Sequence, residues 1–492
     1  MQFTKTDFIQ YLNCPESLWL YKNKPAEYTK SEFSLFLKKL IKEGYEVESC
    51  VNQLFPNAVI IPQNASANET KQLLATTSRQ FIQPSFETSK GIFARIDVLE
   101  VLEDGSLHIY EIKSSTSIKK DKKHNHIKDI CFQKYVLSAC GYHVSKLSFI
   151  YLNKEYIRKG PISPYEMLII EEVTETVDEI YSAVVNEINA ANTFVNKSAI
   201  DENKCKCKHN TRTNHCDSFS YFNKEVPPYS VYEIGNIRAK KIGMLVDNQQ
   251  LHMLDIPADF KLNVKQQWQV NSLRQEKPMV DFDQIQKTLE NLKFPLHFID
   301  YETYASAIPK IDGLSPHKQL AFQVSIHTLD KGGEIKHFEY LADDMVLPSE
   351  MLSKMEEFTG LEGTFVSWHA SFEVGRNKDM IQWLPNYKTY LTYMNEHMFD
   401  LETVFKKDYI DCKFHGSSSI KKVLPVICPD FTYDNLSVQN GTMALDIWGR
   451  MVSDPNFQED KETTRKSLLE YCEMDTKAMV EIYKVLIKLT KN

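Results

Sequence analysis

The chain has 492 residues, 42% of them hydrophobic and 25% charged, the composition of a globular protein with material for two or three separate cores rather than one. No run reaches the apolar length of a membrane span. Met1 to Tyr21 mixes Lys, Asp, Asn and Glu with apolar residues where a signal peptide would be uniformly apolar, so a cytoplasmic location without a membrane partner is expected. A net charge of −8 argues against a broadly basic surface for loose nucleic-acid binding, but a nuclease needs acidic metal sites and can confine its positive charge to a groove.

In chain order, residues 1–225 begin with helical patterns, including one from Phe33 to Phe55. Its apolar stripe runs through Phe33, Leu37, Leu40, Ile41, Val47 and Val51, and Glu48 falls inside it. Two strands are then predicted, Gly91 to Leu102 and Ser106 to Ile112, joined at Asp104 and Gly105. The segment Lys113 to Lys128 is basic, with Lys119, Lys120, Lys122, Lys123, His124 and His126 opposed by Asp121, and reads equally as a solvated loop or as a phosphate contact. A helix from Ile127 to Gly141 and an apolar strand from Val144 to Leu152 complete an α/β core. Residues 226–290 open on Pro227 and Pro228, are weakly patterned and polar, and are expected to be a connecting module. A second α/β pattern fills 291–492, with strands near 295–301, 319–329 and 335–341, the last two joined by Lys331, Gly332 and Gly333. A further strand from Thr364 to His369 and a long amphipathic helix from Glu459 to Leu489 follow.

Around the first hairpin the chain reads GIFARIDVLEVLEDGSLHIYEIKSS. Asp97 ends one strand, and Glu111 and Lys113, two apart on the next, share a face. Phosphodiester hydrolysis uses such a set: carboxylates hold a divalent cation that activates water, and a lysine orients the nucleophile or offsets charge on the phosphate. The downstream helix DICFQKYVLSACG adds Gln133 and Tyr135. This order of residues resembles the RecB-type branch of the PD-(D/E)xK nucleases. The resemblance implies a restriction-endonuclease-like core in which Asp97 and Glu111 bind the metal, Lys113 is the catalytic lysine and Gln133 supports the site or touches substrate. Many relatives carry His four residues after a helical Gly; here Glu48 stands four after Gly44 and is expected as a substitute ligand. Members of the branch often hold an iron-sulfur cluster on one early and three late cysteines, and Cys14, Cys205, Cys207 and Cys216 occupy those places. A 4Fe-4S cluster, a Zn²⁺ site that recruits His209 or His215, and metal-free thiols all remain open.

The strand PLHFIDYETY carries Asp300 and Glu302, again two apart on one face. FVSWHASFE supplies Glu373, and in LLEYCEMDTKAM Asp475 falls inside the stripe Leu468, Cys472, Met479, Ile482 and Leu486, with Tyr471 one turn earlier. The set resembles the tyrosine version of the four-acid (DEDD) site of DnaQ-type exonucleases, which have an RNase H-like fold. That resemblance implies two Mg²⁺ or Mn²⁺ ions, ~4 Å apart, on Asp300, Glu302, Glu373 and Asp475, with Tyr471 orienting the attacking water. The usual second acid is Asp with Asn nearby; here they are Glu373 and His369. The combined architecture resembles a mollicute-type bacterial family that fuses the two nuclease domains. FIDYETYASAIPKIDGLSPHKQLAFQVSIH is characteristic of it, its Pro309, Gly313, Pro316 and Gln323 being expected to shape a loop beside Asp300 and Glu302. The expected function is a nuclease acting on DNA, cleaving at the RecB-like site and trimming 3′ ends at the DEDD-type site. The rivals are a nucleic-acid-binding or assembly protein with decayed sites, and an enzyme whose only active centre is C-terminal.

Overall fold

The computed structural model describes residues 2–28, 35–62, 64–121 and 124–491, and the chain is mixed α/β. It forms two compact units: residues 1–225 with Ser306–His317, and residues 226–305 with 318–492. No helix among the described residues is long and apolar enough to cross a membrane.

The first unit is built on a six-stranded sheet in the order Val59–Ile60, Gln80–Ile82, Val98–Val101, Leu107–Lys113, Val144–Leu152 and Leu168–Glu172. Leu107–Lys113 pairs antiparallel with Val98–Val101 and parallel with Val144–Leu152. Leu107 to Glu111 are buried on both faces, His108 and Glu111 among them. The helices His126–Ala139 and Thr174–Val195 cover one face through Phe132, Leu137, Phe149 and Ile188. The strand expected from Gly91 to Leu102 is two strands. Ile92–Arg95 pairs in a small sheet with Ser85–Glu87 and Phe3–Thr4, while Val98–Val101 joins the large one. The chain changes partner at Ile96 and Asp97, whose backbone groups bond to Pro84 and to Gln83, the latter at a left-handed φ of 61°. The expected stripe on the helix Leu35–Asn52 is also revised. Val47 and Val51 are buried, but Leu37, Leu40 and Ile41 are exposed and Glu43, paired with Lys39, is buried instead; Phe33 lies outside the described residues. Packing against the sheet, not the widest apolar stripe, sets that rotation.

The second unit holds a five-stranded sheet in the order Ile335–Leu341, Leu320–Leu329, Leu296–Tyr304, Thr364–Ser367 and Met398–Asp400, antiparallel across the first three strands and parallel beyond them. The helix Lys461–Thr490 lies on it and buries Leu468, Cys472, Asp475, Met479, Ile482 and Leu486, the face read from the sequence. Residues 226–290 are not a connector but part of this unit. Met279–Val280 pairs with Tyr409–Ile410, and Ile285 and Leu289 join the core of Leu296 and Leu486. Their weak patterning arises because polar side chains point inward and satisfy backbone groups. Gln269 donates to Glu233 O (2.8 Å) and accepts from Gly235 N (2.9 Å), and Ser272 Oγ accepts from Cys412 N (3.0 Å). Gly416 closes the same contact: at φ 71° it leaves room for Glu233 O, which a Cβ would meet at 2.0 Å.

The segment Ser306–His317, which carries Pro309, Gly313 and Pro316, belongs to the first unit. Ala307 and Ile308 share a core with Val47, Tyr110 and Ile150. Arg158 donates to Pro309 O (3.0 Å), Gly313 N donates to Arg158 O (2.9 Å), and Lys310 pairs with Glu46 (2.7 Å).

Candidate functional site

In the second unit, Leu296–Tyr304 runs parallel to Thr364–Ser367 only from Leu296 to Phe298, so Asp300 and Glu302 stand past the end of that pairing, where the sheet opens. The helix Lys461–Thr490 carries Asp475 over them. Asp300, Glu302 and Asp475 each bring a carboxylate oxygen within 4.8 Å of the others. Burial, then the charges of Asp475, Glu302 and Glu373, raises Asp300 well above the ordinary carboxylate range. Burial and then Asp475 push Glu302 up to about 8. Burial raises Asp475 as well, despite hydrogen bonds from Tyr433 and Tyr471 and the nearby charge of Lys421. Repulsion of this kind is relieved by protons or by a cation, and an all-oxygen donor set suits Mg²⁺ or Mn²⁺.

Glu373 is near this group but outside it. It is buried on the helix Ser371–Trp383, its Oε2 has no hydrogen-bond partner, and burial pushes it up to about 7. The four acids expected together are therefore three convergent carboxylates and one electrostatic neighbour. His369 sits at a left-handed φ of 70° with Nδ1 3.0 Å from Glu402 Oε2.

The first constellation is built differently. Asp97 accepts from Ile112 N (2.8 Å), and burial followed by the charge of Glu111 pushes it up to about 8. Glu111 is surrounded: Lys5 and Lys113 donate to Oε1 (2.6 and 2.7 Å) and Gln133 to Oε2 (2.5 Å). Burial alone would raise it, but Lys113 and Lys5 outweigh that and hold it below the usual range. Lys113 also pairs with Asp129 (2.5 Å). Glu48 is half-buried and raised by burial and by Glu111. Among the described residues, Asp97, Glu111 and Glu48 do not bring donor atoms together as the second-unit acids do. Asp97, Glu111, Lys113 and Gln133 thus share one polar cluster, closed by lysines. Of the basic segment, His126 is buried and Lys128 is paired with Glu187 (2.6 Å), while Lys122 and Lys123 lie outside the described residues.

Cys14 comes from the junction of the helices Lys5–Asn13 and Pro15–Asn23, and Cys205, Cys207 and Cys216 from turns after Thr174–Val195. Their four Sγ atoms lie within 4.8 Å of one another. Hydrogen bonds from the neighbouring thiols, Cys14 foremost, hold Cys205 well below its ordinary value, and Asn223 Nδ2 adds a smaller one to Cys205 Sγ (3.4 Å). Among the described residues no histidine joins the group, and the His215 ring stacks on Phe219 at 3.5 Å with Nε2 3.2 Å from Asn210 O. Such a donor set fits Zn²⁺ or an iron-sulfur cluster. Four thiols within that spacing suit one Zn²⁺, for which a tetrahedron with ~2.3 Å Zn–S bonds has edges of about 3.8 Å.

A family described as a domain of unknown function, DUF2779, matches residues 297–419, a stretch that carries Asp300, Glu302 and Glu373 but stops short of Asp475. The chain is similar to the uncharacterized protein MG366 of Mycoplasma genitalium, at 25% identity over half of this chain and 40% of that protein. It is also similar to the MG366 homolog of Mycoplasma pneumoniae (27%, over 39% of this chain and 32% of that protein) and to the uncharacterized protein UU173 of Ureaplasma parvum (27%, over 40% and 32%). The chain thus spans 32% to 40% of the length of these relatives. Among solved structures, the crystal structure of SSO0001 aligns at 14% identity and a TM-score of 0.21, covering 40% of this chain and 77% of that one.

Several site residues escape sequence reasoning. Tyr433 donates to Asp475 Oδ1 (2.6 Å), and Lys421 Nζ lies 5.3 Å from the rings of both Tyr433 and Tyr471. Gly441, at the start of the helix Gly441–Ser453, leaves space that a Cβ would fill 3.1 Å from Glu302 Oε2. In the first unit the missing members are Lys5 and Asp129. Only Asp129 has a signal, since it lies four residues before Gln133 on the same face of a buried helix.

Proposed function

We propose that the chain is a metal-dependent nuclease acting on DNA, with its hydrolytic centre at Asp300, Glu302 and Asp475. The observation that carries this reading is three carboxylates within 4.8 Å of one another, Glu302 and Asp475 buried and Asp300 half-buried, two of them paired on one strand end and all raised by desolvation. These three would hold Mg²⁺ or Mn²⁺, with Glu373 reaching a second ion; bound there, the metals supply an activated water and offset charge on the phosphate. Tyr471 and Tyr433 orient Asp475 and a water beside it, and Lys421 adds positive charge at the cluster's edge. On this reading the second unit is RNase H-like and trims 3′ ends, and the first is a PD-(D/E)xK core of the RecB type. The thiol group would hold Zn²⁺ or a 4Fe-4S cluster.

The full set of partners around Glu111 favours a variant in which the first unit grips DNA and the second cuts it, because Lys5 and Lys113 already neutralise the carboxylate that a metal would need. Labelled single- and double-stranded DNA with Mg²⁺ or Mn²⁺, digested by wild type, Asp300→Ala and Asp97→Ala, separates these cases. Loss of cleavage by 10²-fold or more is expected for Asp300→Ala. Retention of activity in Asp97→Ala supports the gripping role, equal loss in both variants supports two centres, and an inert wild type overturns the nuclease reading.

A further inference from the structure

On the second unit's sheet, His327 and His337 are direct cross-strand partners, and so are Ser325 and Glu339 two pairs along. The two imidazoles stack with centroids 4.2 Å apart. Glu473 approaches from the helix Lys461–Thr490, and one donor atom from each of His327, His337 and Glu473 lies within 4.8 Å of the others.

The hydrogen bonds around the pair define which nitrogens are available. Thr476 Oγ1 donates to Glu473 O (3.0 Å), so toward its other partners it accepts. His327 Nδ1 lies 2.8 Å and Ser325 Oγ 2.7 Å from that oxygen, so both donate to it. Ser325 Oγ, having given its proton to Thr476, accepts from His337 Nε2 at 3.0 Å. A neutral ring that donates in this way carries its proton on the bonded nitrogen and keeps a lone pair on the other, His327 Nε2 and His337 Nδ1. Outer partners that set the tautomer in this manner are what a metal-binding imidazole requires. Burial, then the charges of His337, Lys477 and Lys484, lowers His327 to about 4, so its ring is neutral at physiological pH.

We propose that His327, His337 and Glu473 form a site for a borderline divalent transition metal of the Zn²⁺ class, separate from the acid cluster. Two imidazoles and a carboxylate select such an ion over Mg²⁺ and leave a fourth position for water or for Glu339, which senses both His337 and Glu473. The donor atoms lie within 4.8 Å of one another, against an edge of roughly 3.3 Å for ~2.0 Å bonds, and the exposed His337 and half-buried Glu473 have the freedom to adjust to it. The ion would tie the Ile335–Leu341 strand to the helix that carries Tyr471 and Asp475.

Equilibrium dialysis of the intact protein against Zn²⁺ in excess Mg²⁺ tests this by counting zinc per chain. His337→Ala is expected to hold one equivalent fewer than wild type, whatever the thiol group binds. Should that variant lose its far-ultraviolet circular dichroism, Glu473→Gln replaces it with the same expectation. A folded variant that retains the wild-type zinc count overturns the proposal.

Discussion

Glu302 is a carboxylate held where its charge is disfavoured, and that has a consequence for pH dependence. Its folded pKa of about 8 lies above the ordinary 4.5, so folding takes up a proton in between, and the metal-free protein loses stability as pH rises through that window. At about 1.4 kcal/mol per pKa unit, the loss is on the order of a few kcal/mol. Thermal melting of metal-free protein is expected to show a falling midpoint across the window. The slope should be shallower in Glu302→Gln, and Mn²⁺ should raise the midpoint more at the alkaline end than at the acidic end. Asp97, also pushed up to about 8, contributes in the same direction in the first unit, so the difference between wild type and Glu302→Gln isolates the acid cluster.

The long helix Lys461–Thr490 is the element on which the acid cluster depends. Its buried face sets Leu468, Tyr471, Cys472 and Asp475 toward the sheet, and one side chain pins it lengthwise. Gln323, fully buried and directly opposite Glu302 in the neighbouring strand, donates from Nε2 to Leu468 O at 2.7 Å. Replacing it with Ala removes this side-chain bond to the helix, whose carbonyl keeps only its intrahelical partner, and opens space beside it, with an expected cost of about 1–3 kcal/mol. Urea unfolding measures that cost. Calorimetric Mn²⁺ titration of the folded variant should show weaker binding, because a helix free to slide no longer holds Asp475 against Asp300 and Glu302. At the other candidate site, the change of sheet partner at Ile96 and Asp97 does comparable work by aiming Asp97 at the backbone of Ile112.

Across the whole chain, each unit draws on sequence-distant segments. The first unit gathers Ser306–His317 from far along the chain, and its Cys14 meets three cysteines some 200 residues later, near that unit's other end. A metal on those thiols would tie the beginning of the unit to its end, so its removal is expected to act on the entire unit. Anaerobically purified protein should show visible iron-sulfur absorption or, failing that, zinc by elemental analysis. Cys205→Ser should lose the bound metal and melt at a lower temperature. Full metal content and an unchanged melting point in that variant would remove the thiol group from the list of metal sites.

Local patterning by itself determined the strands at Val144–Leu152 and Ile335–Leu341, the turn at Gly333, the buried face of the last helix and the pairing of Asp300 with Glu302 on one strand face. Each depends on residues a few positions apart, where backbone periodicity alone orients the side chains. The convergence of Cys14 with Cys205, Cys207 and Cys216 and of Asp475 with the strand acids was expected only through family resemblance. Only the tertiary structure decided that Lys5 and Asp129 close the first cluster, that Glu373 stands outside the second, and that Tyr433 and Lys421 attend it. It likewise decided that residues 226–290 fold into the second unit, on inward glutamines and a serine that hydropathy counts as surface. In each case the contact joins segments with no shared period, and the burial of polar and charged groups, which sets their charge state, has no signature in local hydropathy.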